Sequence, residues 1–107
     1  SIIMPMESRM VAITMSITVH GDGTLSQADT YAAIVSELES RFREWAVVST
    51  SASVFKNSHL QEAVGNSAGV EWFLITAVEG GAGNADIALA ANEYPTIVIG
   101  DITQNWV

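Results

Sequence analysis

The sequence predicts an α+β fold, and three stretches of its 107 residues carry that prediction. Residues 26–45 have the three- and four-residue apolar spacing of an amphipathic helix. Residues 11–20 and 70–79 are rich in β-branched or aromatic side chains and show the two-residue period of strands. The order in which these and the weaker elements follow one another then defines the predicted topology.

The helix predicted over residues 26–45 has a start signal, an apolar face and a polar face. Ser26 suits the N-cap, and Asp29 stands three residues later, where a capping box places its acid. The apolar stripe consists of Tyr31, Ile34, Val35, Leu38, Phe42 and Trp45. Two acid–base pairs at i,i+4 spacing occupy the opposite face, Glu37 with Arg41 and Glu39 with Arg43. The spacing therefore predicts a helix that buries one side.

The remaining elements are shorter. Strands are predicted over residues 11–20, 46–55, 70–79 and 96–99, one helical turn over 59–64, and a second helix from Asn84 or Asp86 to Tyr94, ended by Pro95. The order βαββαβ is that of ferredoxin-like folds, which carry two helices on one face of a four-stranded antiparallel sheet. A different α+β sheet, with an added strand from residues 102–107, is the alternative.

Composition narrows the class of protein. Residues 11–107 are expected to form a single domain. Residues 1–10 are expected to be an N-terminal arm or a segment added for expression of the protein. Twelve acidic against four basic residues give a net charge of −8, which disfavours direct binding to nucleic acid or to anionic membranes. The absence of cysteine rules out disulfides and thiolate metal sites and fits a reducing, cytoplasmic compartment. No apolar run reaches the length of a membrane span.

Three patterns suggest chemistry, and each has a simpler explanation that we favour. His20 stands near Asp22 as a base and its orienting acid would, but the segment also reads as a polar turn. His59 and Glu62 would need His20 as a third metal ligand. The glycine-rich residues 81–86 place Asp86 where a dinucleotide-binding loop needs its third glycine. We therefore assign no catalytic, cofactor-binding or metal-binding residue and expect no cofactor.

A fourth pattern indicates a surface. Thr14, Ser16 and Thr18 line one face of the first strand, and Ser49, Ser51 and Ser53 are expected to line another. If Trp72 and Leu74 point to the helices, the side chains of Phe73, Ile75 and Ala77 join that hydroxyl-lined face. Exposed apolar patches of this kind usually bind a partner. The predicted interface consists of Phe73, Ile75, Trp106, Thr14, Ser16 and Thr18.

These observations support three functional hypotheses. The first is a small acidic, non-catalytic interaction or structural protein that self-associates through a sheet face and terminal arms. The second is an acidic decoy for a basic site on a nucleic-acid-handling protein, with carboxylates gathered on one face: Glu37, Glu39, Glu44, Asp22 and Asp29, together with Glu62 or Glu93. The third is a small enzyme or ligand-binding module that uses His20 or His59.

Overall fold

A computed structural model of the chain describes residues 9–48, 53–90 and 93–107. This part of the chain is a mixed α/β structure with two α-helices and eight strands. In chain order these are β1 (Arg9–Ala12), β2 (Met15–Gly21), α1 (Gln27–Val48), β3 (Ser53–Phe55), α2 (Asn57–Gly65), β4 (Val70–Val78), β5 (Gly81–Ala82), β6 (Ile87–Leu89), β7 (Glu93–Thr96) and β8 (Ile102–Trp106). A 3₁₀ turn, Ile99–Asp101, precedes β8.

The largest sheet has four strands in the order β5-β4-β2-β8. It is mixed, because β2 is antiparallel to β4 but parallel to β8. The prediction of a purely antiparallel sheet is therefore wrong: the tail of the chain returns beside β2 in the same direction. Two further pairs, β1 with β7 and β3 with β6, form two-stranded sheets. The ferredoxin-like order is not confirmed.

The strand predicted over residues 11–20 is present but interrupted. Only Ile13 and Thr14 separate β1 from β2, and the Ile13 N–H donates to the Thr96 carbonyl across 2.8 Å. On the neighbouring strand, five residues, 97–101, separate β7 from β8. The parallel pairs β1–β7 and β2–β8 thus follow one another almost without a break. The 3₁₀ turn lies in the longer connection, between β7 and β8.

The long helix is confirmed, and its side chains pack as the spacing predicts. Ser26 Oγ accepts a hydrogen bond from the Asp29 N–H at 3.1 Å. Four residues of the stripe are buried, Tyr31, Ile34, Leu38 and Phe42, and the other two, Val35 and Trp45, are partly buried against the core. The helix runs on to Val48, so the strand predicted from residue 46 is wrong there. The reason is that neither glycine nor proline stops the helix after Trp45. Residues 49–52 of that predicted strand lie outside the described residues.

The second predicted helix is wrong within its described residues. Ile87 and Leu89 are buried on either side of exposed Ala88, and this strand pairs with β3. Burial at period two has overridden the helical propensity of the alanines. Asp86 does not cap a helix; its carboxylate accepts the Asn57 N–H at 2.7 Å. Residues 91–92 of the predicted helix lie outside the described part.

The second helix of the structure is α2. It begins at Asn57 and ends at Gly65, around the single turn that the sequence predicts over residues 59–64. Its Leu60, Ala63 and Val64 join α1 and the inward side chains of β2 in one hydrophobic core. Both helices therefore contribute to the core on one side of the four-stranded sheet. Neither helix in the described chain is long and apolar enough to cross a bilayer.

Candidate functional site

The side of the four-stranded sheet that faces away from the core carries two large exposed apolar side chains. Trp72 is 49 % and Leu74 60 % exposed, whereas Ile75, the residue after Leu74, is 4 % exposed. The predicted facing of β4 is therefore reversed. Ile75 belongs to the core, and Phe73 is partly buried against it. We call the outward residues Trp72 and Leu74, with Ser16 and Thr18 beside them, the outer face.

Two β-bulges explain the reversal. The register between β2 and β4 shifts between Ser16 and Ile17 and again between His20 and Gly21. Each shift places an extra β4 residue in the strand and changes the phase of its alternation. Core-facing side chains consequently fall at Val70, Phe73, Ile75 and Val78, with gaps of three, two and three residues. Strict alternation, which the sequence analysis assumed, cannot reproduce this spacing.

At one end of the outer face, His20 forms a cluster with residues of β4. Its ring stacks on Trp72 with centroids 5.5 Å apart and planes 11° apart. Nδ1 lies 2.7 Å from the Val107 main-chain oxygen, and Nε2 lies 3.1 Å from Glu71 Oε2. Both of these neighbouring oxygens are hydrogen-bond acceptors. Each ring nitrogen thus lies within hydrogen-bonding distance of an oxygen atom of the same chain.

Asp22, the predicted partner of His20, makes its contacts within the turn. Its carboxylate accepts hydrogen bonds from the side-chain hydroxyl and the N–H of Thr24. These bonds lower the pKa of Asp22, because they stabilise the ionised carboxylate. The acid beside the His20 ring is instead Glu71, which the sequence analysis did not single out. The second bulge brings it there, and no local sequence signal marks that bulge.

The residues around Leu74 on the outer face are polar but uncharged. Thr18 lies opposite Leu74 in the β2–β4 register and opposite Asn105 in the β2–β8 register. Asn105 Nδ2 lies 3.5 Å from Thr18 Oγ1, and the Thr76 hydroxyl donates to the Ser16 carbonyl at 3.1 Å. Ser16 and Thr18 thus lie beside Leu74 and Thr76 of β4, and not beside the predicted Phe73 and Ile75. The predicted Ala77 lies opposite Ser16 in the register.

The other predicted interface residues lie apart from the residues around Leu74. Thr14 is exposed at the break between β1 and β2, where its N–H donates to Glu79 Oε1 at 2.6 Å. Trp106 is partly buried against the core, and its Nε1 donates to Gln104 Oε1 at 2.8 Å. Ser49 and Ser51 lie outside the described residues.

The second histidine lies in an open, aromatic-lined hollow near the end of α1. His59 is exposed, with its ring 5.6 Å from that of Phe55, and the hollow of about 330 Å³ is also lined by Arg41, Glu44 and Trp45. Glu62 is committed elsewhere, because it pairs with Arg41 at 2.8 Å. No three His, Asp or Glu side chains within the described ranges are arranged to hold a metal ion.

The glycine-rich residues 81–86 do not have the setting of a dinucleotide-binding loop. Gly81 and Ala82 form β5, and the element that follows is β6. A phosphate-binding loop of that type needs a helix N-terminus at this point. The Asn57 side-chain amide instead donates to the carbonyls of Gly83 and Ala85, which ties this segment to α2.

The carboxylates considered for an acidic decoy take separate roles. Glu39 turns inward, where it accepts hydrogen bonds from the Thr96 hydroxyl at 3.0 Å and the Ile97 N–H at 3.2 Å. Arg41 pairs with Glu62 of α2 and not with the predicted Glu37. Arg43 lies 3.9 Å from Glu39, as its i,i+4 spacing predicts. Helix packing thus uses two of the acids that the decoy hypothesis requires on one exposed face.

Comparison with known proteins gives no family assignment. No protein-family model matches the chain, and no curated protein matches it significantly. We therefore infer the function from the residues of the chain and their geometry.

Proposed function

We propose that this chain is a small acidic, non-catalytic interaction protein that self-associates through the outer face of its four-stranded sheet. The observation that carries the proposal is the exposure of Trp72 and Leu74 side by side on one face of β4. A tryptophan and a leucine two residues apart on a strand form a contiguous apolar patch. Such patches on soluble proteins usually mark a binding surface.

The charge distribution favours a second copy of the chain as the partner. A protein with a net charge of −8 repels its own copies over most of its surface. Around Leu74, however, the neighbours named above are Ser16, Thr18, Thr76 and Asn105, and none of them carries a charge. Two copies can therefore approach through this face with little like-charge repulsion.

The contacts of the His20 ring support a non-catalytic role. Both ring nitrogens have acceptor partners, and one face of the ring is stacked on Trp72. The cluster thus holds Trp72 in one orientation at the edge of the apolar patch. An ordered aromatic side chain loses less conformational entropy on binding than a mobile one.

The contribution of the terminal arms, residues 1–10 and Trp106, stays a prediction.

The test is to replace Leu74 and Trp72 separately by serine and to measure self-association by sedimentation velocity over a wide concentration range. Val98→Ser is the matched control, because Val98 is 58 % exposed and lies outside the outer face. We expect both outer-face variants to weaken self-association at least tenfold and the control to leave it unchanged. Circular dichroism checks that each variant is folded. Equal self-association of all three variants and the unaltered chain would overturn the proposal.

A further inference from the structure

The strand that carries the exposed apolar side chains also has an open edge. β4 has nine residues, but β5 pairs only with Ala77 and Val78. At the other end, the Val70 N–H reaches the Ser67 carbonyl at 3.4 Å, and near the middle Gly83 lies against the Ile75 carbonyl. Between these points, no strand in the described chain pairs with residues 71–74 on the side away from β2. An open strand edge is a template for pairing with another strand.

The opposite edge of the same sheet is different in character. There β8 presents Thr103, Gln104 and Asn105, all exposed and polar. The large apolar side chains of the outer face stand on β4 alone. The open edge and the apolar patch therefore coincide on one strand.

We propose that two copies of the chain join edge to edge, with β4 antiparallel to β4 of the second copy, so that the two sheets become one. This inference rests on the proposed self-association and specifies its geometry: Trp72 and Leu74 of the two copies meet across the joined strand edges on one continuous outer face, and the two outer faces are not stacked on each other. Pairing about a twofold axis at Phe73 places Trp72 opposite Leu74 of the second copy, and Leu74 opposite Trp72. A twofold axis makes both contacts at once, because each copy contributes the same strand. Directly opposed side chains on one face of an antiparallel pair lie in contact.

Charge permits this junction. Glu71 is the one acidic residue in the open stretch, and its carboxylate lies 3.1 Å from His20 Nε2 of the same chain. The pairing thus brings together apolar side chains and main-chain groups. Glu71 of each copy lies beside His20 of the same copy.

Distances between spin labels test the geometry. Because the chain has no cysteine, Thr18→Cys and Asn105→Cys each give a single labelling site, and the two positions lie on one row of neighbouring strands. Neighbouring strands lie about 4.8 Å apart. In the joined sheet, the backbones at the two copies of residue 18 are then about 15 Å apart, and those at the two copies of residue 105 are about 25 Å apart. We therefore expect the interspin distance to be about 10 Å longer at position 105.

The other outcomes separate the two proposals. A dimeric protein in which position 105 gives the same distance as position 18, or a shorter one, would overturn edge pairing through β4 while leaving self-association in place. A monomeric mass with no dipolar coupling at either position would overturn both.

Discussion

His20 and Trp72 face each other across the β2–β4 ladder, with ring planes inclined by 11° and centroids 5.5 Å apart. The stack closes one end of the exposed apolar patch and links it to the Glu71 carboxylate. It therefore connects two features that lie far apart in the sequence: the end of the first long strand and the outward side of β4.

The stack is expected to contribute measurably to stability. We expect His20→Ala to lower the free energy of unfolding by about 1 kcal/mol, because aromatic contacts of this kind contribute about 0.5–1.5 kcal/mol. Urea denaturation followed by circular dichroism measures it. The comparison variant is Glu71→Gln, which removes the exposed carboxylate beside His20 Nε2 and is expected to cost under about 1 kcal/mol while the stack remains. A larger loss for Glu71→Gln than for His20→Ala would contradict this assignment.

Gly69 is a position where an added side chain would meet both an unfavourable backbone conformation and a buried neighbour. Its φ is +86°, and a Cβ there would overlap the hydroxyl oxygen of buried Thr30. We expect Gly69→Ala to destabilise the fold by more than about 2 kcal/mol, because backbone strain of order 1–3 kcal/mol is joined by a steric clash. Gly80→Ala is the control: its φ is +76° but no atom lies within 4 Å of the added Cβ, so only the strain applies. Equal losses for the two variants would show that the contact with Thr30 is absent.

Asn57 ties α2 to the segment before β6. Its side-chain amide donates to the Gly83 carbonyl at 3.0 Å and the Ala85 carbonyl at 2.9 Å, and the residue is buried. We expect Asn57→Ala to cost about 2–3 kcal/mol, since each buried acceptor left without a donor costs about 1–3 kcal/mol. Hydrogen exchange should also accelerate at Ile87 and Leu89, whereas exposed Ser58→Ala should change neither quantity. Unchanged exchange at those amides would show that Asn57 does not hold the segment.

The stability of the fold is expected to fall at alkaline pH through Tyr31. Burial raises the pKa of the Tyr31 hydroxyl above its ordinary value of 10, and that hydroxyl donates to the Ile102 carbonyl at 3.1 Å. A group whose pKa is higher in the folded than in the unfolded state stabilises the fold fully at pH values below its unfolded-state pKa. That stabilisation is lost as the pH rises through its folded-state pKa. We therefore expect the free energy of unfolding to decline from about pH 10 upward, and less steeply in Tyr31→Phe. The measurement is urea denaturation at a series of pH values, with Tyr94→Phe as control. An unchanged slope in Tyr31→Phe would contradict this role.

The sequence predicts well those elements whose signals are local. The helix from Gln27 carries its cap and its stripe within its own residues, and the structure reproduces both. The short helix around Leu60 and the first strand were likewise located. The segment from Ile87 was not, because Ile87 and Leu89 are drawn into a strand by pairing with β3, more than thirty residues earlier. The alanine content of a segment cannot indicate that the segment pairs with a strand so far away in the sequence.

The β4 side chains that face away from the core, Trp72 and Leu74, are not those that the sequence predicts. Phe73 and Ile75 are as apolar as Trp72 and Leu74, so composition cannot tell which pair faces the core. Their facing depends on bulges opposite Ser16 and near Gly21, which are features of the pairing between two strands. Phase is lost when a single residue is inserted into a ladder, because the side-chain period is two.

Sedimentation equilibrium measures whether this acidic chain associates with itself. The chain has a mass of 11.4 kDa. We predict that the apparent mass of the unaltered protein rises with concentration toward twice that value. An apparent mass of one chain at every concentration, up to the highest that stays in solution, would contradict the account.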